Sequence, residues 1–356
     1  MTHRPDSDAT LVADSLRQFA ERLGGLARAR DAKDNPRFHE DADQRARFAE
    51  PGWFGIAVPE ARGGAGMGWH PTCALAAMAG RYLLPDPLIG AVASAQALSA
   101  CAGDNADRAL AALLRGDRNV VLFPEPLAPG ESSIINDIPE CPPGSDLMVL
   151  VEDRDGARLV MLGEQQAGIQ ATRQSCVDGG SLTRLVLSPS VWRDAPRLAE
   201  NDKARAAFAD GRDLQWLARA AYLNGLAEAA LDITLDYLRL RNQFGRALGT
   251  FQALQHRMAT CHVDLIAARA LLTEACLARD TDRQAAAARA AVAQAGAGAL
   301  RITAEAIQCH GAIGFSDEHD IGLFRRKAMA MAAPGGGETG HLLAYARLAE
   351  PRLMEH

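Results

Sequence analysis

Two short segments of this sequence set charged and amide donors beside glycine. The first is Arg241-Asn242-Gln243-Phe244-Gly245-Arg246, followed by Phe251-Gln252. The second is Gln308-Cys309-His310-Gly311-Ala312-Ile313-Gly314-Phe315. Arginine carries a planar fork of charged donors that matches a pyrophosphate. Small residues let backbone N–H groups approach a phosphate or an adenine closely. Glutamine offers both donor and acceptor to a purine or ribitol edge. Either fragment alone is also what a capped helix end with surface arginines looks like. The ordered set is the more specific signal.

Other candidate groups give weaker patterns. His256 and His262 share a helical stretch but not the i, i+4 spacing that puts two ligands on one face, so they read as packing or surface residues and no metal site is expected. His310 reads first as a structural residue at a helix end, and His341 as a polar residue near a glycine-rich turn. Arg325-Arg326-Lys327 reads as a solvated or interface face. No Ser-His-Asp arrangement or phosphate-binding Walker loop is present. The seven cysteines are scattered and form no Cys-x-x-Cys pair, which argues against a disulfide framework or zinc knuckle and for a reducing, cytoplasmic setting.

The elements that must position these residues follow from the patterning. The 356 residues are 48% hydrophobic and 23% charged, with a net charge of −6, which speaks against nucleic-acid or membrane-surface binding. The N-terminus lacks a signal peptide's apolar run, and no run of about 18 apolar residues could span a membrane. Apolar spacing near 3.6 predicts helices over 9–29, 41–50, 71–82, 89–101 and 104–115. Glycine and proline over 51–66 predict a loop with special backbone angles. Short β-rich runs follow at 120–123, 147–151, 158–162, 168–171 and 182–187. Those at 147–151 and 158–162 flank Asp155-Gly156, a hairpin signal. Gly144-Ser145-Asp146 reads as a turn. Most connections are turns, so an antiparallel sheet or small barrel is expected. From 198 onward the chain is helical again, with long helices over 213–241, 251–279 and 281–309 and a closing one at 335–352. The first of these is apolar on most faces and should lie inside a bundle.

The fold class expected is therefore α+β: an N-terminal helical domain (1–118), a middle β domain (119–197) and a C-terminal four-helix bundle (198–356). Arg-x-x-Phe-Gly at 241–245, Phe251-Gln252 and the helix end Gln308-x-x-Gly311-Ala312 together resemble the acyl-CoA dehydrogenase family. So do Gly52-Trp53-Phe54-Gly55-Ile56-Ala57-Val58-Pro59-Glu60 with Gly63-Gly64, and Tyr82-Leu83-Leu84-Pro85-Asp86-Pro87. The resemblance runs in the right order over nearly the whole chain. It implies that Arg241, Phe244, Gly245 and Gln252 contact the pyrophosphate of FAD across a subunit interface, and that Gln308, Gly311 and Ala312 contact its adenosine part. It implies α,β-dehydrogenation of an acyl-CoA substrate and an electron-transfer acceptor. The assembly implied is a homodimer, a homotetramer or an α2β2 heterotetramer with a second acyl-CoA dehydrogenase-like chain.

That chemistry needs a carboxylate at the substrate's α-proton. The family's usual position corresponds to Gly335, and the alternative one to Gln215. Neither is an acid. Glu338, in Pro334-Gly335-Gly336-Gly337-Glu338-Thr339-Gly340-His341, is the candidate base in this chain, with Asp213 a second. The other readings are a non-catalytic subunit that completes a partner's FAD site, as in paired short members acting on steroid side-chain CoA esters, and a chain that binds flavin or acyl-CoA for another purpose or has lost activity. The middle domain departs as well. Glu125-Pro126 matches the family's Thr-Glu-Pro, but Leu127-Ala128-Pro129-Gly130 stands where Gly-Ser-Asp would follow.

Overall fold

A computed structural model describes residues 5–34, 42–84, 87–128, 133–139, 141–154 and 156–349. Pro85, Asp86, Pro129, Gly130 and the hairpin-turn residue Asp155 lie outside the described residues, as do Asp41 and residues 350–352 of the expected helices. The helices are α1 (Pro5–Arg22), α2 (Leu26–Asp34), α3 (Ala42–Ala49), α4 (Trp69–Arg81), α5 (Pro87–Ser99) and α6 (Asp104–Leu114), then α7 (Pro189–Asp194), α8 (Asn201–Leu240), α9 (Gln252–Leu277), α10 (Gln284–His310), α11 (Ala312–Phe315), α12 (Ile321–Ala332) and α13 (Gly337–Ala349). The strands are β1 (Val120–Leu122), β2 (Ser133–Pro139), β3 (Asp146–Asp153), β4 (Gly156–Gly163), β5 (Ile169–Ser175), β6 (Ser181–Leu187), β7 (Arg197–Glu200), β8 (Asn242–Gln243) and β9 (Arg246–Ala247). The α+β class holds, with a sheet region between helical ones.

By its contacts the chain forms two compact units. One comprises residues 1–8, 32–72 and 85–215, the other 9–31, 73–84 and 216–356. In the first unit, β3 and β4 form the expected hairpin, paired from Asp146↔Gly163 to Asp153↔Gly156. Gly144 and Ser145 form the expected turn, with Ser145 N–H donating to the Pro142 carbonyl. The sheet region is not wholly antiparallel. β1 runs parallel to β3 in a four-stranded sheet of order β1-β3-β4-β7, and β2-β6-β5 form a separate antiparallel sheet. Parallel neighbours need a long connection, and the chain between β1 and β3 supplies it by passing through β2. The sequence patterning hid β2. Its Asn136-Asp137 looks like a turn, and is in fact a bulge between Ile135 and Ile138, with Asp137 at φ 54°. β7 likewise occupies residues expected to be helical, so α8 starts at Asn201 and not at 198. Val121, Ile135, Leu147, Val149, Val160, Leu185, Leu187 and Trp192 form the core enclosed by the two sheets.

In the second unit α10 packs on α9, α12 and α13. Its buried Ala288, Ala291, Ala295 and Ala299 present a smooth face that lets backbones approach. α8 residues 216–231 are buried almost all round, as the sequence predicts. α4 and α8 touch backbone to backbone at two glycines: a Cβ on Gly80 would run into the Tyr222 carbonyl, and one on Gly225 into that of Ala77. The Tyr222 hydroxyl donates to the Leu84 carbonyl at 2.8 Å and fixes the end of α4. The basic triplet on α12 is not a solvated face. Lys327 is buried, Arg325 donates to the Leu300 carbonyl at 2.6 Å, and Arg326 pairs with Asp317 at 3.1 Å. Among the described residues no helix is long and apolar enough to cross a membrane.

Candidate functional site

The C-terminal end of α8 carries Arg241, whose backbone N–H closes the last turn on the Tyr237 carbonyl at 2.8 Å. The chain then folds into the two-stranded β8–β9 hairpin, pairing Asn242 with Ala247 and Gln243 with Arg246. Phe244 and Gly245 are its two-residue loop, at φ 53° and 78°. Both positive angles match the twist of a tight hairpin. Glycine adopts that angle freely, whereas a phenylalanine there is uncommon. The Phe244 ring is 87% exposed and meets the Phe251 ring edge-on at 6.1 Å. Arg246 stacks its guanidinium 4.0 Å above the Phe251 ring, which separates the two arginines of the motif: Arg246 is spent on Phe251. Arg241 is exposed, as are Gln252 at the first position of α9, Gln308 and Ala312. Gly311 caps α10 at φ 67°, its N–H shared between the Ile307 and Gln308 carbonyls.

Tyr237 joins the two segments. It stacks on His310 at 4.3 Å, and its hydroxyl donates to the His310 carbonyl at 3.4 Å. His319 packs against His310 at 4.5 Å. The Nδ1–H of His310 donates to the Ala306 carbonyl at 2.8 Å, which leaves Nε2 an acceptor. Burial is the main cause that holds the His310 imidazole below the usual histidine pKa, with His319 adding to it. His310 is thus a neutral structural pin beneath the helix end, and the ends of α8 and α10 meet through it. Tyr237 and His319 gave no sequence signal, because a tyrosine inside a helix and a histidine in a short connection look ordinary.

The positions for a catalytic carboxylate look different. Gly335 sits at φ 73°, and a Cβ there would meet His341 Cε1 at 2.6 Å and the edge of Trp216 at 3.1 Å. His341 is buried, and its Nε2–H donates to the Pro334 carbonyl at 3.1 Å, while Nδ1 accepts from Arg289 at 3.2 Å. Arg289 lies 4.7 Å over the Trp216 ring, which meets His341 edge-on at 4.7 Å. The space beside Gly335 is therefore filled by a locked Trp216–Arg289–His341 cluster. Burial, then the Arg289 charge, push the His341 pKa down to about 4, so His341 is neutral and is a structural residue.

Glu338 lies in the first turn of α13 and is exposed. Asp213 is buried and held by the Arg212 fork at 2.9 and 3.0 Å. Gln215 is buried, with its amide donating to the β1 carbonyl of Leu122 at 3.4 Å and its Oε1 unpartnered. Glu125 is exposed, and the following Leu127 joins the sheet edge by bridging Val151. His256 and His262 are exposed, and no group of three or more metal-ligating side chains occurs among the described residues.

Comparison with known proteins agrees with this architecture. The family model "Acyl-CoA dehydrogenase, N-terminal domain" matches residues 6–108, and "Acyl-CoA dehydrogenase, C-terminal domain" matches 207–348. The chain is 29% identical over 331 residues to the acyl-CoA dehydrogenase IpdE2 of Mycobacterium tuberculosis (strain ATCC 25618 / H37Rv), covering 92% of this chain and 93% of that one. The structure of a G363A variant of the steroid ACAD Tcur3481–Tcur3483 superposes with a TM-score of 0.85 at 27% identity, covering 97% of this chain and 98% of that one. A chain of the ChsE4–ChsE5 complex from Mycobacterium tuberculosis shares the fold, with a TM-score of 0.85 at 22% identity over 96% and 97% of the two chains. From its N-terminal helices through its sheets to its C-terminal helices, the chain belongs to the acyl-CoA dehydrogenase family.

Proposed function

We propose that this chain is one subunit of an FAD-dependent acyl-CoA dehydrogenase of the α2β2 kind, and that its partner, a second acyl-CoA dehydrogenase-like chain, supplies the catalytic carboxylate. The observation that carries this reading is the filled space at Gly335. The slot is not simply missing its acid; a Cβ at 335 would stand 2.6 Å from His341 and 3.1 Å from Trp216, so an acid there requires these rings to shift. Gln215, at the family's other position, is an amide already bonded to Leu122. Among the solved neighbours, the ChsE4–ChsE5 complex and the steroid ACAD with the paired name Tcur3481–Tcur3483 support the same reading.

The residues present fit the adenosine and pyrophosphate end of FAD. The side chains of Arg241, Gln252 and Gln308 are exposed and make no hydrogen bond or ion pair among the described residues, and Phe244, three residues after Arg241, is exposed as well. Uncommitted donors next to an exposed aromatic ring suit a phosphate carrying an aromatic base. In this proposal Arg241, Phe244, Gly245 and Gln252 hold the pyrophosphate and Gln308, Gly311 and Ala312 the adenosine side. When bound, the flavin supplies the hydride acceptor for α,β-dehydrogenation of an acyl-CoA thioester. What this chain contributes is charge neutralisation of the phosphates and orientation of the group against the partner. The proposed domain division, 1–118, 119–197 and 198–356, assigns all of these contacts to the C-terminal bundle.

A homomeric enzyme using Glu338 is the second reading. It is favoured by one observation: Gly335, Gly336 and Gly337 all have positive φ, so Glu338 follows a backbone shape that only glycines adopt easily. Expression of the chain alone and together with a second acyl-CoA dehydrogenase-like chain separates the two. The expected result is no reduction of an artificial electron acceptor by acyl-CoA with the lone chain, turnover with the pair, and unchanged turnover on Glu338→Gln in the pair. Turnover by the lone chain that Glu338→Gln abolishes would overturn the subunit reading.

A further inference from the structure

All seven cysteines are free thiols, and two of them touch. Cys73 on α4 and Cys276 on α9 stand 203 positions apart in the chain, yet their sulfurs are 3.7 Å apart and in hydrogen-bonding contact. Cys73 is buried, while Cys276 is partly exposed and so reachable from solvent. Closing the pair to a disulfide needs the sulfurs to approach from 3.7 Å to about 2.05 Å. We propose that Cys73 and Cys276 form an oxidation site, a dithiol that a peroxide converts to an intramolecular disulfide tying α4 to α9.

The electrostatics assign the two sulfurs separate roles. The hydrogen bond shared with Cys73 holds Cys276 below the usual thiol range, against the effect of burial. The same hydrogen bond, with full burial, pushes Cys73 well above it. Burial pushes Cys101, Cys141 and Cys261 up to about 11 and raises Cys309 as well. The thiolate is the reactive form, so Cys276 is the attacking group and Cys73 the resolving one. The Cys276 thiolate attacks one peroxide oxygen, the O–O bond breaks, and hydroxide leaves with Cys276 as the sulfenic acid. The Cys73 sulfur then attacks that sulfur, its proton goes to the departing hydroxide, and water leaves. The balance is two thiols and one hydrogen peroxide giving one disulfide and two waters. The product fixes α9, whose first residue is Gln252, to the helix that α8 packs on through Gly80 and Gly225. The site stands whether or not the subunit reading holds.

The test uses the purified full-length chain, alone and in whatever assembly it forms, treated with hydrogen peroxide. Peptide mapping without reductant is expected to recover a Cys73–Cys276 cross-linked peptide, with two fewer titratable thiols per chain and an upward shift in Tm that dithiothreitol reverses. In Cys73→Ser the link is absent, and dimedone is expected to trap the sulfenic acid at Cys276. Absence of the cross-linked peptide, or a link from Cys276 to a second molecule, overturns the proposal. So does trapping by dimedone at another cysteine in preference to Cys276.

Discussion

Gly335 and His341 show how much one side chain decides. Gly335 is at φ 73° with a ring 2.6 Å from where its Cβ would be. Gly335→Glu therefore meets both backbone strain and overpacking, at a cost of about 2–4 kcal/mol. Denaturant unfolding is expected to show that loss, and the variant is expected to gain no dehydrogenase activity. Any gain would mean that the Trp216–His341 pair moves aside. His341 carries its own pH signature. Its pKa is lowered in the fold, from 6.5 to about 4, so the neutral form is the folded form. Its contribution is complete above pH 6.5 and is lost as pH falls towards 4, amounting to roughly 3 kcal/mol by linkage. His310 titrates in the same direction. His341→Gln, whose amide can replace both ring hydrogen bonds, is expected to flatten the fall in stability between pH 6.5 and 4. An unchanged pH slope would remove His341 as its source.

Arg241 and Gly225 matter through the elements they end or join. The β8–β9 hairpin presents Phe244 at a helix end where it is 87% exposed. In the proposed site Arg241→Ala would remove charged hydrogen bonds to the phosphates worth about 1.5–3 kcal/mol, so the assembled protein is expected to bind FAD roughly 10- to 100-fold more weakly. Because Arg241 is exposed and uncommitted, unfolding free energy is expected to change by less than about 0.5 kcal/mol. Flavin absorbance after gel filtration, measured beside thermal unfolding, separates the two effects. Gly225→Ala does the reverse. Its methyl would drive the Ala77 carbonyl away from α8, and the expected loss is about 2–3 kcal/mol, read as a lowered Tm with the hairpin untouched. These elements were unevenly legible. The long helices, the β3–β4 hairpin and the Arg241–Gln252 and Gln308–Ala312 segments follow from period, turn residues and motif. Strand β2 and the parallel β1–β3 pairing do not, because a bulge reads as a turn and strand direction is set by where the chain re-enters the sheet.

Across the whole molecule, the surface argues for assembly. Val263, at 63% exposure, and Ile266 lie one turn apart on α9, and Leu342 and Leu343 are exposed on α13. Exposed apolar side chains on bundle helices are the kind that an assembled partner covers. Light scattering of the co-expressed pair is expected to give a mass larger than one chain of each kind. Ile266→Asp is expected to lower that mass while far-UV circular dichroism stays unchanged. A monomeric protein of unaltered stability would contradict the proposed straddling site.

The sequence by itself determined the family, the long helices, the β3–β4 hairpin and the small residues at both helix ends, because motif spacing and hydrophobic period are local properties. It also showed that no acid stands at 335 or 215. What only the tertiary structure decided is why. Trp216, Arg289 and His341 come from three different helices, and no local pattern could reveal that they pack into one another beside Gly335. The same holds for Tyr237 under His310 and for Cys73 against Cys276. Each is a contact between distant residues, fixed by how the helices of the second unit pack.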